Sequence, residues 1–349
     1  MLPRPVTLRD VARKVGVSHV TVSLALRNHP RISPERRQEI LRAVKEMNYV
    51  PDPLFGKLAA YRHNLPVEKI HSSIAWINHW DQPDNLLNKY REFMAYWKGA
   101  TAAAAERGYR LEEFRWLPEL SARRFEQILF TRGIRGVLIP PHLVPPDWGN
   151  FNWNKFSIVR FGGSVPTPDS NLVTSDQYRS TTMAVGKISR YGYRRIGLVA
   201  GNRFDQRLGG VYQSGFQWGQ NQLKAANHLP PLLLEADDYL LRPDASRREL
   251  ECWLKENRPD AIFTTEMRLP RLIEELGYRI PRDIAVAGAS IDVPVSAGVN
   301  QNSEAIGRIA VELLLKQINF NECGEPPTPS RTLVEGFWRD GDSLPKRRP

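Results

Sequence analysis

The chain has 349 residues, of which 41% are hydrophobic and 25% charged, and its formal net charge is +11. This composition excludes a disordered chain, and the length predicts two or three folded units. With no secretion signal at the N-terminus and no run of about 18 apolar residues, we expect a cytoplasmic protein that does not contact a membrane.

Positive charge is concentrated near the N-terminus. Residues 1–64 contain twelve Lys and Arg but only five Asp and Glu, a surplus of seven charges (twelve minus five). Less than a fifth of the chain therefore carries most of the excess charge. Such a distribution predicts a basic N-terminal module that binds a polyanion, and nucleic acid is the usual one.

The first two helices of this module are indicated by their end signals. Thr7 and Asp10 form a capping pair ahead of apolar residues at helical spacing, and Gly16 ends that helix. Ser18 then caps a short second helix over roughly 19–26. Small residues at the junction allow the two helices to pack across a tight turn.

A third helix begins at Ser33 and Pro34 and extends to about Met47. Three short helices with a tight turn between the first two are typical of a helix-turn-helix DNA-binding domain. Helix count alone fits a generic three-helix bundle equally well. The charge and the short second helix favour the DNA-binding interpretation.

The segment 6–52, VTLRDVARKVGVSHVTVSLALRNHPRISPERRQEILRAVKEMNYVPD, resembles the N-terminal domain of the lactose-repressor (LacI/GalR) family. That family places its second helix in the major groove of a near-palindromic operator. The resemblance implies that His19, Val20 and Leu24 read bases. It also implies phosphate contacts from Thr7, Ser18, Thr21, Ser23 and Arg27. Arg27 replaces the usual asparagine of the family, so a base is its alternative target.

The stretch 48–63 resembles the hinge of the same family, and the hinge is expected at 51–67. In relatives this segment folds into a helix on the operator, and a leucine wedges into the minor groove. Leu58 aligns with that leucine, and the alternative is that it packs on its own domain. Gly56 departs from the family pattern and should weaken a hinge helix in the absence of DNA.

From about residue 68 the pattern changes to short apolar segments rich in β-branched residues. They lie at 72–78, 136–141, 156–163, 195–201, 260–265 and 283–289. Amphipathic helical stretches, such as 93–108 and 175–192, separate most of them. This alternation predicts an α/β fold with parallel sheets covered by helices on both faces.

The blocks GYRRIGLVAG, RIPRDIAVAGAS and GVNQNSEAIGRIAVELLLKQI extend the family resemblance into this region. They imply a two-lobed core like that of periplasmic sugar-binding proteins, with a ligand in the cleft. The expected domains are a helix-turn-helix domain at 1–50, a hinge at 51–67 and a core at 68–349. Lobe 1 is expected at about 68–168 and 302–330, and lobe 2 at about 169–301 and 331–344.

Ligands of open α/β sheets bind beyond the carboxyl ends of the strands. That rule, with one residue at a crossover, nominates an effector set: Asn78, His79, Trp80, Asp81, Arg203, Phe204, Asp205, Glu266, Ser290, Asp292 and Gln301. Trp80 lies beyond its strand and could stack on a sugar ring, whereas Trp76 is expected in the core. Sugar-binding relatives have an arginine where Tyr212 stands and an acid where Ser290 stands. The charged groups that hold a sugar in those relatives are thus absent at both positions. We expect the effector to be a sugar or a related small polar molecule.

These patterns predict a transcription regulator, most simply a repressor, that binds a double-stranded DNA operator as a homodimer under effector control. The alternative is a regulator whose core only dimerises. No catalytic spacing, phosphate loop or metal-ligand cluster is present in the sequence, so we expect no enzyme activity, cofactor or metal. The segment 341–349 contains no leucine heptads, so we expect dimers rather than tetramers.

Overall fold

The computed structural model describes residues 6–26, 31–47, 49, 72–80, 90–142, 144–235 and 243–347. The chain divides into two compact units, residues 1–70 and residues 71–349. Three sequence predictions lie outside the described residues: the hinge with its wedge Leu58, Arg27 and Asp81.

The N-terminal unit contains the three predicted helices, α1 (Leu8–Val15), α2 (His19–Leu26) and α3 (Pro34–Glu46). Gly16 separates α1 from α2 with a left-handed backbone (φ 69°), which a glycine adopts without steric cost. A small core is formed by two buried residues from each helix: Val11, Ala12, Val22, Ala25, Ile40 and Ala43. The helix-turn-helix prediction is confirmed.

The second unit begins at β1 (Ser72–Asn78) and continues with strands and helices in alternation. The elements of its first half are α4 (Arg91–Glu106), β2 (Tyr109–Arg115), α5 (Ala122–Thr131), β3 (Gly136–Ile139), β4 (Ser157–Phe161), β5 (Asn171–Ser175), α6 (Gln177–Arg190), β6 (Ile196–Gly201), α7 (Asn202–Arg207) and α8 (Val211–Gln220). Those of its second half are β7 (Leu232–Leu234), α9 (Pro243–Asn257), β8 (Ala261–Thr264), α10 (Leu269–Glu275), β9 (Ala285–Gly288), β10 (Gly298–Asn300), α11 (Ser303–Phe320), β11 (Arg331–Val334) and β12 (Phe337–Arg339).

These strands form two six-stranded sheets, one in each lobe. The order is β11-β5-β4-β3-β1-β2 in lobe 1 and β12-β10-β9-β8-β6-β7 in lobe 2. The strand pairs are parallel, except that β12 runs antiparallel to β10. The α/β prediction with two lobes and parallel sheets is thus confirmed.

The predicted lobe boundaries near 168 and 330 are wrong by one strand each. β5 pairs with β4 through Val159 and Asn171, and β11 pairs with β5 through Arg331 and Leu172. Both strands therefore belong to lobe 1, because sheet membership is decided by backbone pairing. Among the described residues the chain passes between lobes after β5, after β10 and after β11.

Both faces of the lobe 1 sheet are buried. Ile74 and Trp76 of β1 pack against α4 and α11, whereas Ala75 and Ile77 pack in a separate cluster that includes α5. Alternate residues of a strand point to opposite faces, so a fully apolar strand needs cover on both sides. Trp76 is a core residue, as its place among apolar strand residues predicted. No helix in the described ranges is long and apolar enough to cross a membrane.

The C-terminal residues pack against lobe 2. Leu344 is 1% exposed and belongs to the lobe 2 core, and the Ser343 carbonyl accepts a hydrogen bond from the Val286 amide at 2.9 Å. Arg347 pairs with Asp260 at 3.1 Å and covers the Tyr193 ring. This segment therefore completes the core of lobe 2.

We expect Leu344→Ala to lower the free energy of unfolding by about 3 kcal/mol, because it leaves a cavity in a closely packed core. Urea denaturation followed by tryptophan fluorescence measures the change. Leu333→Ala is the matched control, since that leucine of β11 is 54% exposed and should cost far less. Equal effects of the two substitutions would show that the C-terminal segment does not support lobe 2.

Candidate nucleic-acid interface and effector cleft

Helix α2 separates its residues into an inner and an outer face. Val22 and Ala25 are buried in the three-helix core, whereas His19 and Val20 are exposed and Ser23 and Leu24 are half-buried. We call His19, Val20 and Leu24 the reading face, with Ser23 beside it. Val20 adds little to the stability of the domain, because it is 53% exposed. A side chain of this kind can contact a thymine methyl in the major groove.

Three of the predicted phosphate contacts, Thr7, Ser18 and Thr21, lie at the N-termini of α1 and α2. The Thr7 hydroxyl donates to Asp10 Oδ2 at 2.6 Å, and the Asp10 carboxylate accepts from the Thr7 amide at 2.9 Å. Ser18 Oγ accepts from the Thr21 amide at 3.0 Å and shares a hydrogen bond with the Thr21 hydroxyl at 2.8 Å. These residues cap the two helices in the absence of DNA.

Two polar contacts join α3 to α1. Lys14 Nζ pairs with Glu46 of α3 at 2.7 Å, and Arg36 Nη2 donates to the Val15 carbonyl at 3.2 Å. The second contact satisfies a carbonyl at the C-terminal end of α1 with a cation, which the helix dipole favours. The remaining exposed basic side chains of this unit include Arg9, Arg42 and Lys45.

In lobe 1 the predicted effector residues Asn78 and His79 form hydrogen bonds with other residues of the lobe. Asn78 is buried, and its Nδ2 donates to Glu113 Oε1 at 2.7 Å, while its Oδ1 has no hydrogen-bond partner within the described residues. His79 Nδ1 lies 2.9 Å from the Trp116 carbonyl oxygen, and the His79 backbone N–H donates to His142 Nε2 at 3.2 Å. These contacts fix the chain where it leaves β1.

Trp80 follows directly and is 8% exposed. Its ring lies 5.4 Å from that of Phe93 and 5.6 Å from that of His142. Its Nε1 is buried and has no acceptor among residues that the structure describes. A buried donor without a partner is costly, so an acceptor atom of a bound molecule would be favoured there.

His142 is a residue that the sequence reasoning missed. Its Nδ1 lies 2.8 Å from the Pro140 carbonyl, which places the proton on Nδ1 and leaves Nε2 as the acceptor for His79. Burial lowers the pKa of His142 to about 4, so the ring is neutral. It follows β3 as His79 follows β1, and the rule on strand ends would have found it if applied to that strand.

In lobe 2 the predicted residues contact other parts of the protein. Arg203 Nε pairs with Glu235 at 3.3 Å, and Ser290 Oγ accepts from the Asp292 amide at 3.1 Å. Burial raises the pKa of Glu266, whose amide donates a hydrogen bond to Thr264 Oγ1 at 2.9 Å. Phe204 is exposed, and its ring stacks on Tyr212 with centroids 6.0 Å apart.

Asp205 requires a correction. It is 0% exposed, and its two oxygens accept hydrogen bonds from the amides of Tyr212 and Gln213 at 2.8 and 3.2 Å. Both amides belong to the first turn of α8, whose preceding residue Gly210 has no side chain to cap it. Asp205 therefore caps α8, and we remove it from the effector set.

Gln301 bridges two crossovers between the lobes. Its Oε1 accepts from Ser175 Oγ at 2.9 Å, and its Nε2 donates to the Tyr212 hydroxyl at 3.1 Å and to the Ala289 carbonyl at 2.9 Å. Burial raises the pKa of Tyr212, so this phenol stays protonated. Gln301 thus holds the lobe connections together, with its amide fully hydrogen-bonded.

Arg207 of α7 links the two lobes. Its Nη2 donates to the carbonyls of His142 and Ser164, both at 2.8 Å. Arg203 and Arg207 thus both have protein acceptors, one a carboxylate and the other two carbonyls. Within the described ranges no group of His, Cys, Asp and Glu is arranged to hold a metal ion.

A basic helix-turn-helix unit followed by two parallel α/β lobes defines a DNA-binding regulator with a periplasmic-binding-protein-like core. Residues 7–52 match the bacterial regulatory proteins of the lacI family, and residues 186–344 match the periplasmic binding protein-like domain. The N-terminal domain is thus of the lacI type, and the core is similar to periplasmic binding proteins.

Similar proteins include the transcriptional regulator CelR of Thermobifida fusca, 25% identical over 94% of this chain and 95% of that protein. The solved structure of a CelR–cellobiose complex has a TM-score of 0.60 and 23% identity, covering 97% of this chain and all of that one. A lac repressor dimer bound to operator and an anti-inducer has a TM-score of 0.54 and 18% identity, covering 98% and 99%. These two structures support the fold described above.

Proposed function

We propose that this chain is a cytoplasmic repressor that binds a near-palindromic operator as a homodimer, without catalytic activity of its own. The reading face of α2, exposed on a basic unit, is the observation that carries the proposal. Its single strongly polar side chain, His19, would exchange hydrogen bonds with a base edge, and Val20 and Leu24 would contact thymine methyls. Thr7, Ser18, Thr21, Ser23 and Arg27 would contact phosphates, which position the helix without reading sequence.

Two copies are proposed because one eight-residue helix reaches only a few base pairs. A two-fold dimer doubles the site and makes the operator near-palindromic. The lac repressor named above is a dimer on its operator, which supports the same arrangement here. Leu58 would enter the minor groove between the two recognition helices, so that the hinges of both subunits fold on the same bent site.

The effector is proposed to be an uncharged polar molecule of the sugar class, bound between the lobes. Trp80 would offer its N–H to a ligand oxygen, and aromatic neighbours would cover an apolar sugar face. Arg203 and Arg207 already have protein acceptors, which disfavours a phosphorylated ligand. The cellobiose complex of CelR supports this class of ligand. Asn78, His79, Asp81, Glu266, Ser290 and Gln301 remain proposed members or supports of this site.

The DNA proposal is tested by selecting operators from randomised duplexes and measuring dissociation constants on the selected site. His19→Ala should weaken cognate binding by about 10- to 100-fold, because a good base contact contributes about 1–3 kcal/mol of discrimination. Binding to unrelated duplex should change little. His228→Ala, in the second unit, is the matched control. An asymmetric selected site, or binding by a single subunit, would contradict the dimer proposal.

The effector proposal is tested by thermal shift with neutral mono- and disaccharides, cellobiose among them, beside their phosphorylated forms. A neutral sugar should raise the melting temperature of the chain, and Trp80→Phe should reduce that shift because it removes the indole N–H. If none of these compounds shifts the melting temperature, the core that only dimerises becomes the better interpretation.

A further inference from the structure

Helix α4 of lobe 1 begins without a capping side chain of its own. Its N-cap residue is Tyr90, whose side chain makes no capping hydrogen bond. The first four amides of an α-helix have no partner within the helix, and a buried amide needs one from elsewhere. The N-terminus of α4 therefore depends on an acceptor from another part of the chain.

That acceptor comes from lobe 2. Asp292, in the loop after β9, accepts a hydrogen bond from the Glu92 amide at 3.2 Å. In the opposite direction the Ile291 amide donates to Glu92 Oε1 at 3.0 Å, and Arg91 Nη1 donates to the Ile291 carbonyl at 2.9 Å. We call Arg91, Glu92, Ile291 and Asp292 the interlobe joint.

The joint also contacts a second helix start in lobe 1. Glu92 is buried and accepts a hydrogen bond from the hydroxyl of Ser303, the first residue of α11. The N-cap of α11, Asn302, provides no capping side-chain hydrogen bond. Burial raises the pKa of both Glu92 and Asp292, and nearby helix N-termini and Arg91 partly offset that cost. The N-termini of α4 and α11 thus both lie beside the carboxyl groups of Glu92 and Asp292.

Helices α4 and α11 present these starts as one rigid body. Their backbones are in direct contact at two glycines, which leave no room for a side chain. A Cβ at Gly99 would lie 1.9 Å from the Glu304 carbonyl oxygen, and one at Gly307 would lie 2.1 Å from the Tyr96 carbonyl oxygen. Any movement of lobe 2 away from this pair would separate all contacts of the joint together.

We infer that the interlobe joint is a latch for the closed core, in which Asp292 caps α4 only while the two lobes are together. Opening at this place breaks three direct hydrogen bonds and returns the amides of α4 to water. Asp292, which the sequence nominated as an effector contact, is then a lobe-closing residue. The effect of the latch on operator binding rests on the proposed function, whereas its effect on the lobes does not.

The two native cysteines can be labelled to test whether the lobes separate. Its two cysteines are exposed, with Cys252 on α9 of lobe 2 and Cys323 just after α11 of lobe 1. Spin labels on both, in full-length chain mixed with excess unlabelled chain, report one interlobe distance by pulsed EPR. Wild type should show one dominant distance. Asp292→Ala should add a population at a different distance and change the closed-to-open ratio by about fivefold, the usual effect of losing a helix cap.

Matched variants distinguish the loss of the Asp292 helix cap from a nonspecific loss of structure. Asp292→Asn keeps an acceptor oxygen and should retain most of the closed population, and Asp342→Ala removes an exposed aspartate elsewhere in lobe 2 and should change nothing. Arg91→Ala should change the interlobe distance in the same direction as Asp292→Ala. If circular dichroism shows that Asp292→Ala is unfolded, the distance in Arg91→Ala tests the latch instead. Unchanged distances in both alanine variants overturn the latch. A changed distance with unchanged operator affinity overturns only its proposed link to DNA.

Discussion

Operator affinity is expected to fall by about 10³-fold or more when monovalent salt is raised from 50 to 200 mM. A regulator that makes roughly 6–10 phosphate contacts releases a similar number of condensed cations, and each release is opposed by added salt. The surplus of seven positive charges in residues 1–64 is doubled in a dimer. Fluorescence anisotropy on the selected operator, repeated at several salt concentrations, gives the slope of log affinity against log salt.

Two substitutions should divide this affinity into its electrostatic and base-reading parts. Arg27→Ala is expected to flatten the salt slope and weaken all sequences alike, whereas His19→Ala should weaken the cognate site and leave the slope unchanged. Arg123→Ala, an exposed arginine on α5 of the second unit, is the control for total charge. A shallow slope in the wild type would contradict a backbone-dominated interface.

Gly307→Ala is expected to lower the free energy of unfolding by about 3–5 kcal/mol. The new methyl group would lie 2.1 Å from the Tyr96 carbonyl oxygen and 2.8 Å from the Ala100 amide nitrogen, which are backbone atoms of α4. Backbone cannot rotate away as a side chain can, so the helices must separate and lose packing along their length. Urea denaturation by tryptophan fluorescence is suitable, because all nine tryptophans lie after residue 75.

The control substitution, Gly186→Ala, is expected to raise the free energy of unfolding. Gly186 is also inside a helix, α6, but a Cβ there would meet no atom within 4 Å. Gly186→Ala should therefore stabilise the chain by about 0.5–1 kcal/mol, since alanine is the better helix former. If both alanines stabilise, the close approach of α4 and α11 is not required. The latch would then lose its rigid support.

Much of the fold could be predicted because its causes are local. Thr7 with Asp10, Ser18, and Ser33 with Pro34 start the three N-terminal helices through contacts only a few residues apart. The six apolar segments became strands for a similar reason, since uninterrupted β-branched residues suit a sheet buried on both faces. The strands that were not predicted are mostly edge or half-exposed ones, such as β2 and β11, which contain charged residues and lack a continuous apolar run.

The sequence by itself determined the helix-turn-helix, the alternating α/β core and the position of Trp80 beyond β1. Only the tertiary structure decided that β5 and β11 belong to lobe 1, because strand pairing depends on partners far along the chain. The same holds for two aspartates that the rule on strand ends nominated together. Asp205 caps a helix seven residues on, and Asp292 caps one that begins some 200 positions earlier. A carboxylate serves a helix start or a ligand equally well, and its role is decided by which amides the fold brings within hydrogen-bond distance.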